Sequence, residues 1–177
     1  NVRTLVIGGF SVQKVASPLA QEISANTNID FDLRYSNTTT ASNLAGGVDL
    51  IDILPYNGDG RSPPSNFTGT LKLRAFPTNS GDASMLFYYT SRVPALISQT
   101  TEQYTAPSAP NWCTQAEFGM FGCPSGLADI TAIRAKTSVT LTPGYIGQVD
   151  MPTVAAGATP GNIFSNVFTA RQPSIHL

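Results

Sequence analysis

Strict alternation of apolar and polar residues over a short run constrains this chain more than any other feature. From 29 to 35, Ile29, Phe31, Leu33 and Tyr35 share one parity while Asp30, Asp32 and Arg34 share the other, which is the period of a half-buried strand. After the Thr/Ser/Asn/Gly loop from Asn37 to Gly47, Val48-Asp49-Leu50-Ile51-Asp52-Ile53-Leu54 forms a second such run, stopped by Pro55. Further strands are predicted at 68–75, 84–90, 129–135, 138–141, 146–151 and 162–170, each bounded by Gly, Pro, Asn or Ser. Only 17–26 and the surroundings of Ala116–Phe118 suit a helical turn. Many short strands, dense turn punctuation and almost no helix predict an all-β, Ig-like antiparallel sandwich with Greek-key connections. The expected division is a single sandwich over 10–177, with 1–9 as an N-terminal edge strand, a linker or a strand donated to a neighbouring copy.

Composition narrows the function. Charged residues make up 12% of the chain and the net charge is −1, against roughly 25% charged residues in ordinary soluble domains. No cluster of Lys or Arg offers the footprint that nucleic acid requires. No apolar stretch approaches the ~20 residues of a membrane span. The single histidine, His176, is one residue from the end of the sequence, a poor place for a Ser-His-Asp or Cys-His triad. Ser11-Val12-Gln13-Lys14 spells Ser-x-x-Lys, but that motif must open a helix and needs a Lys-Thr-Gly partner, where this chain has Lys136-Thr137-Ser138. The carboxylates Asp30/Asp32 and Asp49/Asp52 read as neighbours along strand edges facing solvent or turns, not as a glycosidase pair. The expectation is a protein that is not an enzyme.

Cys113 and Cys123 flank a short segment and are even in number, so a disulfide closing a long insertion around 93–126 is expected, and with it an oxidising, extracellular setting. Such a short loop contributes on the order of 2–3 kcal/mol through the unfolded chain.

Lys14 and Asn166 are polar residues at inward parity near opposite ends of the chain. Lys14 shares its parity with Phe10 and Val12, and Asn166 with Phe164 and Phe168. Burial lowers a lysine's proton affinity and yields a neutral amine nucleophile, while a protonated carboxyl polarises an asparagine carbonyl. An amide bond between the two side chains is therefore predicted, with Asp52, inward with Val48, Leu50 and Leu54, as the acid and Asp49 or Asp32 as alternatives. A simpler reading has Lys14 reaching to the rim, Asn166 satisfying the backbone and Asp52 capping the turn.

Two further constellations are candidates for binding. Asp52, Asn57 and Asp59 offer oxygens that Ca²⁺ could use, without the bidentate glutamate of an EF-hand. Tyr104, Trp112 and Phe118 fall in the irregular middle, where exposed aromatics would grip a carbohydrate or protein ligand. Trp112, beside Cys113, also suits a place in the core.

Three segments together resemble the DUF11 (conserved repeat) domain, an Ig-like module of prokaryotic surface proteins. They are Ser11-Val12-Gln13-Lys14-Val15-Ala16-Ser17-Pro18, then 29–37 leading into 48–55, and Thr159-Pro160-Gly161-Asn162-Ile163-Phe164-Ser165-Asn166-Val167-Phe168-Thr169-Ala170. The run 54–61, with Trp112, the two cysteines and Leu141-Thr142-Pro143-Gly144, is similar to an expanded version of it. The resemblance covers both ends well and the middle poorly. It implies a structural or adhesive module on a prokaryotic cell surface or outside the cell, and no particular ligand. Its implied partners are copies of itself or neighbouring domains of a surface protein.

Overall fold

The computed structural model describes residues 3–17, 26–97 and 112–173. They form two antiparallel sheets packed face to face. One sheet carries β1 (Arg3–Ile7), β2 (Phe10–Ser17), β3 (Asn26–Asn37), β5 (Thr70–Leu73), β6 (Thr78–Ser80) and β9 (Ile146–Ala156). The other carries β4 (Val48–Ile53), β7 (Leu86–Thr90), β8 (Ala132–Thr137) and β10 (Phe168–Arg171). The first runs in the order β1-β2-β3-β9-β5, with β6 also on β9; the second runs β10-β4-β8-β7. The expected β-sandwich is present, and among the described residues helix is confined to three single 3₁₀ turns. None is long and apolar enough to cross a membrane.

Alternation sets the facing surfaces. Phe31, Leu33 and Tyr35 of β3, Val48 and Leu50 of β4, Ile133 and Ala135 of β8, and Val149 and Met151 of β9 build the core between the sheets. Directly opposed residues on paired strands share a face, so the register fixes two polar positions as well. Lys14 lies opposite fully buried Leu33, and Asp52 lies opposite Phe168. Both point inward.

The strand carrying Asp52 starts from a turn that only glycine fits. Gly47 has φ +71°, and a Cβ there would lie 2.0 Å from the Thr137 carbonyl oxygen. A side chain at 47 would push β4 off β8.

The outer face of β4 is buried too. Ile51, Ile53, Ile97, Ala132 and Trp112 form a second, smaller core, so the insertion, at its described residues Ile97 and Trp112, covers the second sheet. It is pinned to the edge strand β7 by reciprocal Tyr89 and Cys113 backbone hydrogen bonds of 2.8 Å and closed by the expected Cys113–Cys123 disulfide.

Several predicted elements shift. The N-terminal apolar run is strand β1, paired along its length with β2, so Lys14 lies on the second strand. The segment 138–141 is not a strand; Leu141 makes one isolated bridge to Leu44. The closing strand starts at Phe168 rather than 162, because the backbone of Ile163 and Ser165 is taken by a loop rather than a sheet neighbour. The 3₁₀ turn at Gln115–Glu117 falls where a helical turn is expected, whereas residues 18–25 lie outside the described set.

Candidate functional site

Lys14, Asp52 and Asn166 come together between the sheets. The Lys14 ammonium donates to Asp52 Oδ2, with the lysine side chain 10% exposed and the aspartate fully buried. Two rings flank the amine, Phe31 with its centroid 4.9 Å away and Phe168 at 5.8 Å. The amide of Asn166 lies against the same carboxylate and helps to hold its charge. Neither amide atom, however, makes a hydrogen bond of ordinary geometry.

That deficit sets Asn166 apart. Asn37, also buried, donates to the Ser42 and Leu141 carbonyls and accepts from the Thr39 amide and hydroxyl. Asn57 exchanges two bonds with the Phe67 backbone. Six buried side-chain polar atoms among the described residues lack a hydrogen-bond partner, and three of them are Asp52 Oδ1, Asn166 Oδ1 and Asn166 Nδ2. Leaving such groups unpaired costs about 1–3 kcal/mol each. Concentrating three of them around one ion pair is expensive unless they have a partner in another chemical state.

Burial drags the Lys14 amine down from its ordinary 10.5 to about 8, with Asp52 pulling the other way and the Arg61 charge adding to the fall. Burial likewise pushes Asp52 up, against Lys14 first and then Arg61 and Asn166. The two shifts narrow the gap between a lysine that normally keeps its proton and a carboxyl that normally loses it. Moving one proton from Nζ to Asp52 then leaves a neutral amine, a neutral acid and an adjacent carboxamide.

The strands place these groups across the sandwich. β2 lies in one sheet, β10 pairs with β4 in the other, and Asn166 stands two residues before β10. Lys14 and Asn166 are therefore not on adjoining strands, as an end-to-end reading of the sequence suggests. They face one another's sheets, and a bond between them would span the core.

The alternative acids face elsewhere. Asp49 forms a buried ion pair with Arg134; being three residues from Asp52, it projects from the opposite face of β4, so the two are not a pair on one strand edge. Asp32 is partly exposed and bonds Arg34, and Asp30 bonds Arg74.

The oxygens proposed for Ca²⁺ do not form a cage. Asn57 is committed to Phe67, Asp59 accepts from the Arg61 and Ser65 amides and faces the Arg61 guanidinium, and Asp52 holds an ammonium. Two protein cations already stand where a metal ion would have to bind. Among the described residues no group of three His, Cys, Asp or Glu side chains gathers.

Two of the three aromatics expected to grip a ligand are used inside the fold. Trp112 is 1% exposed and covers Ile51 and Ile53. Phe118 packs edge-on to Tyr89 at 5.4 Å and beside Phe76 at 5.8 Å. Tyr104 lies outside the described residues. The insertion does present Phe121, 98% exposed within the disulfide loop, which sequence pattern alone does not distinguish from Phe118.

Neither a protein-family model nor a curated protein sequence matches the chain. Among solved structures it is similar to the CBM3a-L domain with flanking linkers from scaffoldin cipA of the cellulosome of Clostridium thermocellum. The identity is 14%, the match covers 98% of this chain and 91% of that one, and the TM-score is 0.39. A likeness this remote leaves the functional reading to the site itself.

Proposed function

We propose that this chain is a structural module of a prokaryotic extracellular or cell-surface assembly, of the DUF11 type, whose two sheets are joined covalently by an amide between Lys14 and Asn166. The observation that carries this reading is the cluster of partnerless atoms on Asp52 and Asn166 around a buried lysine. The disulfide fits an oxidising setting. The edge strand β1, with Leu5 and Val6 exposed, offers an open side for association with another copy or a neighbouring domain.

The chemistry balances without any cofactor. Lys14 passes a proton to Asp52, and the neutral Nζ attacks Cγ of Asn166 while the Asp52 acid donates to Oδ1. The tetrahedral centre then collapses: the Nζ–Cγ bond stays, the Cγ–Nδ2 bond breaks, and a proton relayed from Nζ through Asp52 lets Nδ2 leave as ammonia. Oδ1 gives its proton back to Asp52, which ends as a neutral acid that donates to the new amide carbonyl and accepts a hydrogen bond from the new amide N–H. Every orphaned atom is thereby satisfied or lost. Exclusion of water by Phe31 and Phe168 strengthens the electrostatics and keeps hydrolysis away.

Such a bond shunts tension around the fold. Pulling the two ends of the chain in a single-molecule experiment should extend only the short segments outside the bond, β1 with the start of β2 and β10, because force passes from residue 14 directly to 166. An unjoined domain would instead release roughly 500 Å of contour as about 150 residues extend, and that extension in the natural chain would defeat the reading. A ligand-binding role is favoured by a single feature, Phe121, and a loss of glycan or protein binding in Phe121→Ala would be its test.

A further inference from the structure

The segment leading to Asn166 is not held by a strand. Its backbone is held by the loop from Asp59 to Asn66. The Ser165 carbonyl accepts from Arg61 Nη1 and from Ser65 Oγ at 3.2 Å. The Ser165 amide donates to Ser65 Oγ at 3.0 Å, and its hydroxyl donates to the Pro63 carbonyl. Asn66 and Ile163 complete the attachment with reciprocal backbone bonds.

The same guanidinium reaches the other side of the site. Arg61 Nη2 donates at 2.7 Å to the carbonyl of Ile53, the residue after Asp52. One planar group thus grips the backbone next to the acid and the backbone next to the carboxamide, and its five donors in a fixed fork make that a rigid spacer. Asp59, with a fully buried side chain, holds the fork from behind at 3.4 Å while accepting from the Arg61 and Ser65 amides at 3.1 Å. Arg61 is itself only 9% exposed along its side chain. A surface arginine bound to solvent would need none of this.

We infer that Arg61 is the positioning residue of the Lys14–Asn166 coupling, fixing the Asn166 carboxamide against Asp52 through backbone contacts to Ser165 and Ile53. The inference rests on the amide-bond reading above. A positioning error of about 1 Å can cost on the order of a hundredfold in rate, so the spacer matters even though it touches no reacting atom.

Its charge adds a second consequence. Among the described side chains, the charged groups facing the amine are Asp52 from β4 and Arg61 from the loop; Phe31 from β3 and Phe168 from β10 bring none. The reactive form holds one proton shared between Lys14 and Asp52, so the rate follows a bell whose acid limb is set by Asp52 and whose alkaline limb is set by Lys14. Arg61 lowers the proton affinity of both. Removing its charge moves both limbs to higher pH.

The test follows the full-length chain, recovered unfolded from inclusion bodies, as it first folds on dilution from urea across a range of pH with a glutathione redox buffer. Loss of ammonia is read by intact mass over time. Arg61→Met should couple about tenfold or more slowly than the natural chain, with both limbs shifted to higher pH. Arg61→Lys, which keeps the charge but cannot span both carbonyls, should also be slow with limbs unmoved, and serves if the methionine variant does not refold. A natural chain that couples, with variants that match its rate and pH profile, would remove Arg61 from the mechanism and leave the bond intact. A natural chain that folds and keeps its ammonia would remove both.

Discussion

Replacing Asn166 with leucine separates the joined and unjoined states by the sign of the stability change. The substitution leaves the Lys14–Asp52 ion pair in place and exchanges the carboxamide for an apolar group of similar size. If the amide bond exists, the variant loses a cross-link closing a loop of about 150 residues, and the chain-entropy relation puts that near 5 kcal/mol. For a domain of this size each kcal/mol moves the midpoint by about 2–4 °C, so thermal unfolding should shift down by roughly 10–20 °C. If the bond does not exist, Asn166→Leu removes two buried polar atoms that make no hydrogen bond of ordinary geometry and touch only the Asp52 carboxylate, which leaves stability near that of the natural chain or raises it by about 1–3 kcal/mol. Calorimetry on both proteins at neutral pH decides between them. A variant as stable as the natural chain, or more so, would refute the reasoning.

Asp52→Asn preserves shape but removes the proton relay, so its chain should keep its ammonia and lose stability comparable with Asn166→Leu, as read by mass and calorimetry together. In the unjoined Asn166→Leu protein, Lys14 should behave as a buried amine. Its unfolded form holds a proton up to about 10.5 and its folded form releases it near 8, so the unfolded state binds more protons in between. Stability should therefore rise between pH 8 and 10.5 by on the order of 3 kcal/mol, a rise absent from the joined natural chain, where Nζ no longer titrates; denaturant melts across that range measure it. Trp112→Ala should cost about 3–5 kcal/mol by opening the outer core, while Phe121→Ala, 98% exposed, should leave the melting temperature unchanged.

Much of this was legible in the residues because period-two patterning survives wherever one face of a strand is buried. Ile29 to Tyr35 and Val48 to Leu54 report their inward faces directly, and the same parity identifies Lys14, Asp52 and Asn166 as inward polar groups. What parity does not carry is which sheet a strand joins. Lys14 and Asn166 read as neighbours because they sit near the two ends, yet β2 and β10 lie in opposite layers. The burial of Trp112 was half visible, since β4 is apolar on both faces at Ile51 and Ile53 and something has to cover the outer one. Arg61 left no signal at all. Beyond the nearby Asp59 carboxylate, its partners are backbone carbonyls 8 and 104 residues away, and backbone acceptors have no side-chain identity for a pattern to detect. The Ca²⁺ candidates are ambiguous in sequence for a related reason: turn carboxylates and amides look alike whether they serve a metal or, as Asp59 and Asn57 do, their own loop.

The most direct measurement is the intact mass of the natural chain, unfolded before analysis. A joined chain shows a deficit of one ammonia in addition to the two hydrogens of the disulfide, and a branched peptide joining Lys14 to Asn166 after proteolysis. A deficit of two hydrogens alone, with Asn166 recovered as an unmodified residue, would contradict the Lys14–Asn166 bond.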